Sequence, residues 1–118
     1  MRQRDIYWIA ALLEGEGCFT IQKAHGKLST PLISLIMCDL DVLERAHRLL
    51  RVTAKITRHN ALNPKWKSSF GFHLTGTPAI AWMMTVYPIM GQRRQARIRE
   101  ILAWWKRRPV HPYKRKAA

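Results

Sequence analysis

Residues 9–19, IAALLEGEGCF, combine an apolar run with two acidic residues, Glu14 and Glu16, that a single glycine separates. Asp5 precedes this run and predicts the cap of a helix with apolar side chains on more than one face. Such a helix is buried on several sides, so it belongs at the centre of the fold. The EGEG segment predicts its end, because glycine tolerates backbone that a helix interior resists.

The two carboxylates at this helix end allow two interpretations. Glu14 and Glu16 are costly beside apolar packing and the negative pole of a helix, unless a cation compensates them. They either solvate a turn or help to hold a hard divalent cation such as Mg²⁺, which prefers carboxylate and carbonyl oxygens. The residues alone leave both interpretations open.

Composition predicts a folded domain with an anionic partner. The chain has 118 residues, 47% of them hydrophobic, with Lys+Arg 21 against Asp+Glu 7 and a formal net charge of +14. We expect one domain at residues 1–108 and a basic tail at 109–118. The apolar content excludes a disordered basic tail, and the charge indicates nucleic acid or an anionic membrane surface. The apolar runs are far too short for a spanning helix.

The two cysteines and the amino terminus indicate a reducing, intracellular environment. Cys18 and Cys38 form neither a CxxC pair nor a His-rich pattern, so neither a zinc site nor a disulfide framework is predicted. We expect both thiols to pack as small apolar side chains. The amino terminus lacks the features of a secretory signal.

Hydrophobic periodicity predicts the element order helix, two strands, helix, two strands, helix, helix. The strands are expected at 18–23, 32–37, 54–59 and 67–74, with a turn at His25 and Gly26. Asp39 is the predicted cap of the second helix and Thr77 that of the third. Two hairpins separated by a helix predict an α+β fold, in which helices cover one face of an antiparallel sheet.

Polar and basic residues of the strands are expected on the other face of the sheet, where they suit DNA. Lys, Arg and His fit phosphates or guanine edges, whereas Gln and Thr fit base edges. The predicted DNA-binding residues are Thr20, Gln22, Lys55, Thr57, Arg58, His59, Lys65, Lys67, Ser69 and His73. Trp66 lies near a predicted turn and belongs either to the core or to a DNA contact.

Residues 9–19 resemble the signature of the LAGLIDADG homing endonucleases. Ala10 and Ala11 stand where that family places an Ala-Gly pair, and MCDLDVLE at 37–44 resembles the beginning of its second helix. The element order read above also matches the family. The resemblance implies the αββαββαα fold, whose antiparallel sheet forms a DNA-binding saddle with helices on the other face.

The resemblance further implies a homodimer built on the first helix. Small side chains let two helices approach closely on a twofold axis, and such symmetry implies a near-palindromic site in double-stranded DNA. The implied interface residues are Ile9, Ala10, Ala11, Leu12 and Leu13. A site-specific endonuclease of an intron or mobile element is the implied activity, located in a bacterial or phage-infected cytoplasm or in an organelle.

The resemblance also assigns chemical roles. Glu16 matches the acidic residue that binds Mg²⁺ or another divalent cation, and Gly15 matches the residue whose carbonyl assists. Arg93 is the predicted basic residue that stabilises the phosphate, whereas Glu14 is expected to cap or pair within the fold. Met37 stands where several family members carry a glutamine that orders catalytic water, and a thioether is a poor substitute.

Two other functions are compatible with the sequence. The same fold serves a DNA-binding protein without cleavage, or a maturase-like splicing cofactor that binds RNA. A small basic RNA-binding protein, such as a ribosomal component, needs only the positive charge. The acidic Glu16 favours the endonuclease, because a pure binding module has no need of a carboxylate there.

Overall fold

The chain alternates helices and strands in the order predicted from the sequence. A computed structural model describes residues 1–23 and 29–108, so the predicted turn at His25 and Gly26 and the predicted tail lie outside the described residues. The elements are α1 Gln3–Glu16, β1 Gly17–Gln22, β2 Thr30–Met37, α2 Leu40–Leu49, β3 Thr57–His59, β4 Ser69–Thr75, α3 Thr77–Val86, a 3₁₀ turn Tyr87–Ile89 and α4 Gln92–Arg107.

The strands form one antiparallel sheet in the order β1-β2-β4-β3. Each hairpin pairs within itself, and the long-range pairing of β2 with β4 joins the two hairpins. Ile33 on β2 pairs with Phe19 on one side and Leu74 on the other, so these three side chains share a face. All three are buried, which identifies this face as the one that meets the helices.

The core lies between that face and helices α1, α2 and α3, while α4 lies against β1. Ile9, Ala10 and Leu13 place one face of α1 fully inside the core. Ile98 and Ile101 are the fully buried residues of α4. Among the described residues, no helix has the length and apolar character needed to cross a membrane.

The beginning of α1 differs from the prediction, whereas its end agrees with it. The helix begins at Gln3 with Arg2 as its N-cap, so Asp5 lies in the first turn and forms an ion pair with Arg45 of α2, at 4.0 Å between charged atoms. A carboxylate in the first turn is still favourable, because it faces the positive pole of the helix. At the other end, α1 ends at Glu16 with Gly17 as its C-cap, within the EGEG segment, as predicted.

Two other predicted boundaries are wrong. Gly76 is the N-cap of α3, with Thr77 already inside the helix, because the chain turns there at a φ of 77° that favours glycine. The third strand is short: residues 54–56 alternate in polarity as a strand would, but only Thr57–His59 pair with β4. Alternation in a sequence cannot show whether a pairing partner is present.

Candidate functional site

The beginning of α4 binds the Glu14 carboxylate at the surface of the fold. Its carboxylate accepts a hydrogen bond from the Gly91 main-chain N–H and forms an ion pair with Arg94, 3.4 Å from Oε2 to Nε. The carboxylate also lies where the dipole of α4 is positive, which favours a negative charge. Glu14 therefore pairs structurally, as the resemblance implied, and joins residues far apart in the chain.

Arg94 links the end of α1 to the beginning of β1 through hydrogen bonds. Its guanidinium donates to the main-chain carbonyl of Glu14 at 3.1 Å and to that of Gly17. It also lies over the ring of Phe19, at 5.7 Å from the centroid. Carbonyls at a helix C-terminus have no partner within the helix, so a cationic donor there satisfies them and opposes the helix dipole. Arg94 thereby fixes the segment that carries Gly15 and Glu16.

A second arginine of α4 continues this contact along β1. Arg97 donates through Nε to the Phe19 carbonyl at 3.1 Å and through Nη2 to the Thr20 hydroxyl at 3.3 Å. Strand β1 lies at the edge of the sheet, so its outward carbonyls need partners from elsewhere. The α4 arginines supply these hydrogen-bond donors. Thr20, one of the predicted DNA contacts, therefore already accepts a hydrogen bond from Arg97.

Glu16 and Gly15 lie beyond this network and are exposed. Among the described residues, Glu16 makes no hydrogen bond or ion pair, in contrast to Glu14 two positions earlier. Its carboxylate is therefore available to a cation. The described part of one chain holds no cluster of three or more Asp, Glu, His or Cys residues that would bind a metal. One chain thus offers Glu16 and nearby main-chain carbonyls as its oxygen donors.

Arg93 differs from its neighbour Arg94 in exposure. Arg93 is exposed, whereas the Arg94 side chain is only 16% exposed and committed to contacts within the chain. Arg93 borders a shallow depression on α4 together with Arg94, Ala96, Arg97 and Glu100. Its guanidinium is the one of this pair that faces solvent and so remains free to meet a phosphate.

The position of the expected glutamine is occupied by the half-buried thioether of Met37. This residue ends β2, pairs with Phe70 across the sheet and packs against the core. Its side chain can neither donate nor strongly accept a hydrogen bond. Met37 therefore contributes packing at this point.

The sheet face opposite the core carries most of the predicted DNA-binding residues. The strand register places on this face six predicted residues, which are Thr20, Gln22, Thr57, His59, Ser69 and His73. Four of them, Gln22, Thr57, His59 and His73, are exposed. We call this surface the open face.

The remaining predicted DNA-binding residues flank the sheet. Lys55 precedes β3, Lys65 lies in the loop between β3 and β4, and Lys67 precedes β4, all of them exposed. Arg58 lies on the opposite face from its neighbours in β3 and donates to the Ser68 hydroxyl at 3.3 Å. These four positive charges border the open face without belonging to it.

The register also shows open-face residues that the sequence did not indicate. Ser34 lies between Cys18 and His73 in one row across the sheet, and exposed Ile36 lies in the next row. Strand β2 is apolar from Pro31 to Met37 apart from Ser34, so a single polar residue is all that indicates which positions face outward. Cys18 and Cys38 are both exposed free thiols, and the prediction that they pack as apolar side chains is wrong.

Comparison with solved structures identifies the fold. The sequence matches no family model and no curated protein. The structure is similar to the group I intron-encoded homing endonuclease I-CeuI complexed with DNA, with a TM-score of 0.67 and 15% identity over 89% of this chain. It is also similar to the archaeal intron-encoded homing endonuclease I-Vdi141I complexed with DNA, with a TM-score of 0.60 and 18% identity over 83% of this chain.

The chain has the LAGLIDADG homing-endonuclease fold. The fold prediction is thereby confirmed. This chain spans 55% of the I-CeuI chain and 66% of the I-Vdi141I chain.

Helix α1 divides the predicted interface residues into two groups. Ile9, Ala10 and Leu13 are fully buried within the chain, so their side chains are not exposed to a second copy, and that part of the prediction is corrected. Leu12 is half-buried and Ala11 is exposed. Ala10 and Ala11 therefore face opposite environments, because consecutive helical residues point about 100° apart.

The outward face of α1 is a narrow stripe of one aromatic residue and two small residues. Tyr7, Ala11 and Gly15 recur at a spacing of four residues, and all three are exposed, Tyr7 by 52%. A Cβ added to Gly15 would have no described atom within 4 Å. This stripe leads along α1 directly to Glu16.

Proposed function

We propose that this protein is a site-specific double-strand DNA endonuclease that acts as a homodimer with a divalent metal ion. The free Glu16 carboxylate carries the proposal, because it ends a core helix in a fold shared with two DNA-complexed homing endonucleases. Both of those enzymes are intron-encoded, which supports an intron or mobile-element origin here.

The open face supports DNA binding. Its exposed His59, His73 and Gln22 offer donors and acceptors for base edges, and the flanking lysines suit phosphates. No acidic residue occurs between Glu44 and Glu100, a segment that includes both β3 and β4. This half of the sheet therefore carries an unopposed positive charge toward DNA.

The homodimer is proposed because one chain has a single candidate metal-binding carboxylate at the end of α1. A single copy offers one free carboxylate at the end of α1, whereas cutting two strands requires two such centres. The exposed Ala11 and Gly15 let the same helix of a second copy approach closely, and this contact brings a second Glu16 to the axis. A twofold axis through this contact presents two equivalent sheets to DNA, so the target is near-palindromic.

The residues present fit a hard divalent cation. Glu16 offers a carboxylate that has no partner among residues 1–23 and 29–108, and Gly15 offers a main-chain carbonyl, both of them oxygen donors that Mg²⁺ prefers. When bound, the cation supplies Lewis-acid activation of the phosphodiester and of water. Arg93 is placed on the exposed surface of α4 to stabilise negative charge on the phosphate.

The test is cleavage of a randomised duplex library in Mg²⁺, with sequencing of the ends, for the wild type and Glu16→Gln. The matched control is Glu44→Gln, which neutralises an exposed carboxylate on α2. We expect site-specific ends from the wild type and from the control, and none from Glu16→Gln, while all three bind DNA. Cleavage that persists in Glu16→Gln contradicts the proposal.

A second function is favoured by Met37. Its half-buried thioether stands where a glutamine could order water, and a thioether cannot do so through a strong hydrogen bond. The alternative is therefore a protein that binds DNA, or an RNA splicing cofactor, without cleavage. Salt-sensitive binding to selected sequences, with no cleavage by the wild type in Mg²⁺ or Mn²⁺, would support this alternative. Competition between duplex DNA and structured RNA then distinguishes its two forms.

A further inference from the structure

The loop between β3 and β4 projects two large apolar side chains into solvent. Leu62 is 99% exposed and Trp66 is 64% exposed. We call residues 60–68 the Trp66 loop. Neither side chain therefore gains the full stabilisation that burial in the core would give it. Large apolar groups clustered on a surface mark an interaction site.

The loop is preorganised by its own turn. The Asn63 side chain accepts a hydrogen bond from the Lys65 N–H at 3.0 Å, and the Asn63 carbonyl accepts one from the Trp66 N–H at 2.9 Å. Pro64 follows Asn63 and fixes φ at the first central position of the turn. The turn thus presents Trp66 at low entropic cost to a partner.

The charges around Trp66 indicate what that partner is. Lys65 and Lys67 flank the indole in the chain, and the whole hairpin from β3 to β4 lacks acidic residues. The base of the same hairpin carries His59 and Ser69 as a pair on the open face. A polyanion that also offers apolar stacking faces matches this combination, and nucleic acid has both features.

We propose that the Trp66 loop contacts duplex DNA flanking the segment bound by the open face, with the Trp66 indole inserted at a base step. Leu62 acts as an apolar wedge beside it, and Lys65 and Lys67 contact the neighbouring phosphates. The inference rests on the proposed DNA binding but does not require cleavage. It adds to the base contacts of the sheet a contact based on stacking.

The test uses a duplex recovered from the randomised library by binding selection, with 2-aminopurine placed at each flanking position in turn. The wild type should change 2-aminopurine fluorescence at one flanking step on each side, because insertion replaces a neighbouring base by the indole. Trp66→Ala should abolish this signal and weaken binding about 10- to 100-fold, which is the range expected for loss of one stacked base. Trp66→Phe should retain most of both.

Salt dependence separates the indole from the lysines. Trp66→Ala should leave the slope of log Kd against log salt unchanged, whereas Lys67→Ala should reduce its magnitude by about one. Met84→Ala is the matched control, because Met84 is 59% exposed on α3, which packs against the core face of the sheet. It should bind DNA as the wild type does.

The possible failures are distinguishable. If the wild type binds duplex DNA and Trp66→Ala binds equally well without loss of the fluorescence signal, this inference is wrong while the proposed function stands. If Trp66→Ala instead loses binding only to anionic phosphatidylserine vesicles, the loop serves a membrane surface and the inference is also wrong. A wild type that binds no duplex refutes the proposed function first.

Discussion

Replacement of Arg94 is the most direct test of how the C-terminal end of α1, which carries Glu14 and Glu16, is attached to α4. Arg94→Met keeps an unbranched apolar stem of similar length but removes the guanidinium that donates to the Glu14 and Gly17 carbonyls. The C-terminal end of α1, which carries Gly15 and Glu16, then loses its cross-link to α4. Because Arg94 is part-buried, the released carbonyls are not fully compensated by water.

The size of the effect follows from these contacts. Hydrogen bonds to charged groups contribute about 1.5–3 kcal/mol each in folded proteins. The ion pair with Glu14 adds little, because that carboxylate is 40% exposed. Allowing for partial access of water, we expect Arg94→Met to lower the free energy of unfolding by about 2–4 kcal/mol. That loss is a large fraction of the roughly 5–15 kcal/mol that stabilises a domain.

The assay is urea unfolding followed by tryptophan fluorescence, with Arg93→Met as the matched control. Arg93 is the exposed neighbour on the same helix, so its loss should stay within about 0.5 kcal/mol. Arg94→Lys should lie between the two, because an ammonium cannot reproduce the fork of the guanidinium. If Arg94→Met loses no more stability than Arg93→Met, the proposed clamp is refuted. Arg94→Lys keeps the test open should Arg94→Met not fold.

Two further predictions concern the small residues of α1 and its end. Ala11→Leu should weaken dimerisation, because the larger side chain overpacks the proposed helix pair. The single chain should stay folded, since Ala11 is exposed. An unchanged dimer in sedimentation would contradict this placement of α1. Gly17→Ala should destabilise by about 1–3 kcal/mol in urea unfolding, because its Cβ would lie 2.8 Å from the Leu13 carbonyl oxygen. Gly15→Ala, with open space at its Cβ, should instead stabilise by up to about 1 kcal/mol, and similar effects at both glycines would contradict the reasoning.

Local pattern was sufficient for the order of the elements and the character of the core. The alternation of Phe70, Phe72 and Leu74 correctly indicated which face of β4 meets the helices. Apolar periodicity works here because burial repeats with the geometry of each element. It was less informative for β2, where Ser34 is the one polar residue between Pro31 and Met37 and the outward position of the apolar Ile36 is not indicated.

The sequence alone was sufficient to predict a core helix that ends in two acidic residues. It also predicted an antiparallel sheet in a strongly basic chain. Only the tertiary structure decided that Glu14 is bound by Gly91 and Arg94 while Glu16 makes no such contact among the described residues. It also decided that Ala10 faces the core and Ala11 faces solvent. Periodicity reports local geometry, whereas these outcomes depend on hydrogen bonds from α4, about 80 residues away in the chain, and on the packing of α1 against β1, β2, α2 and α3.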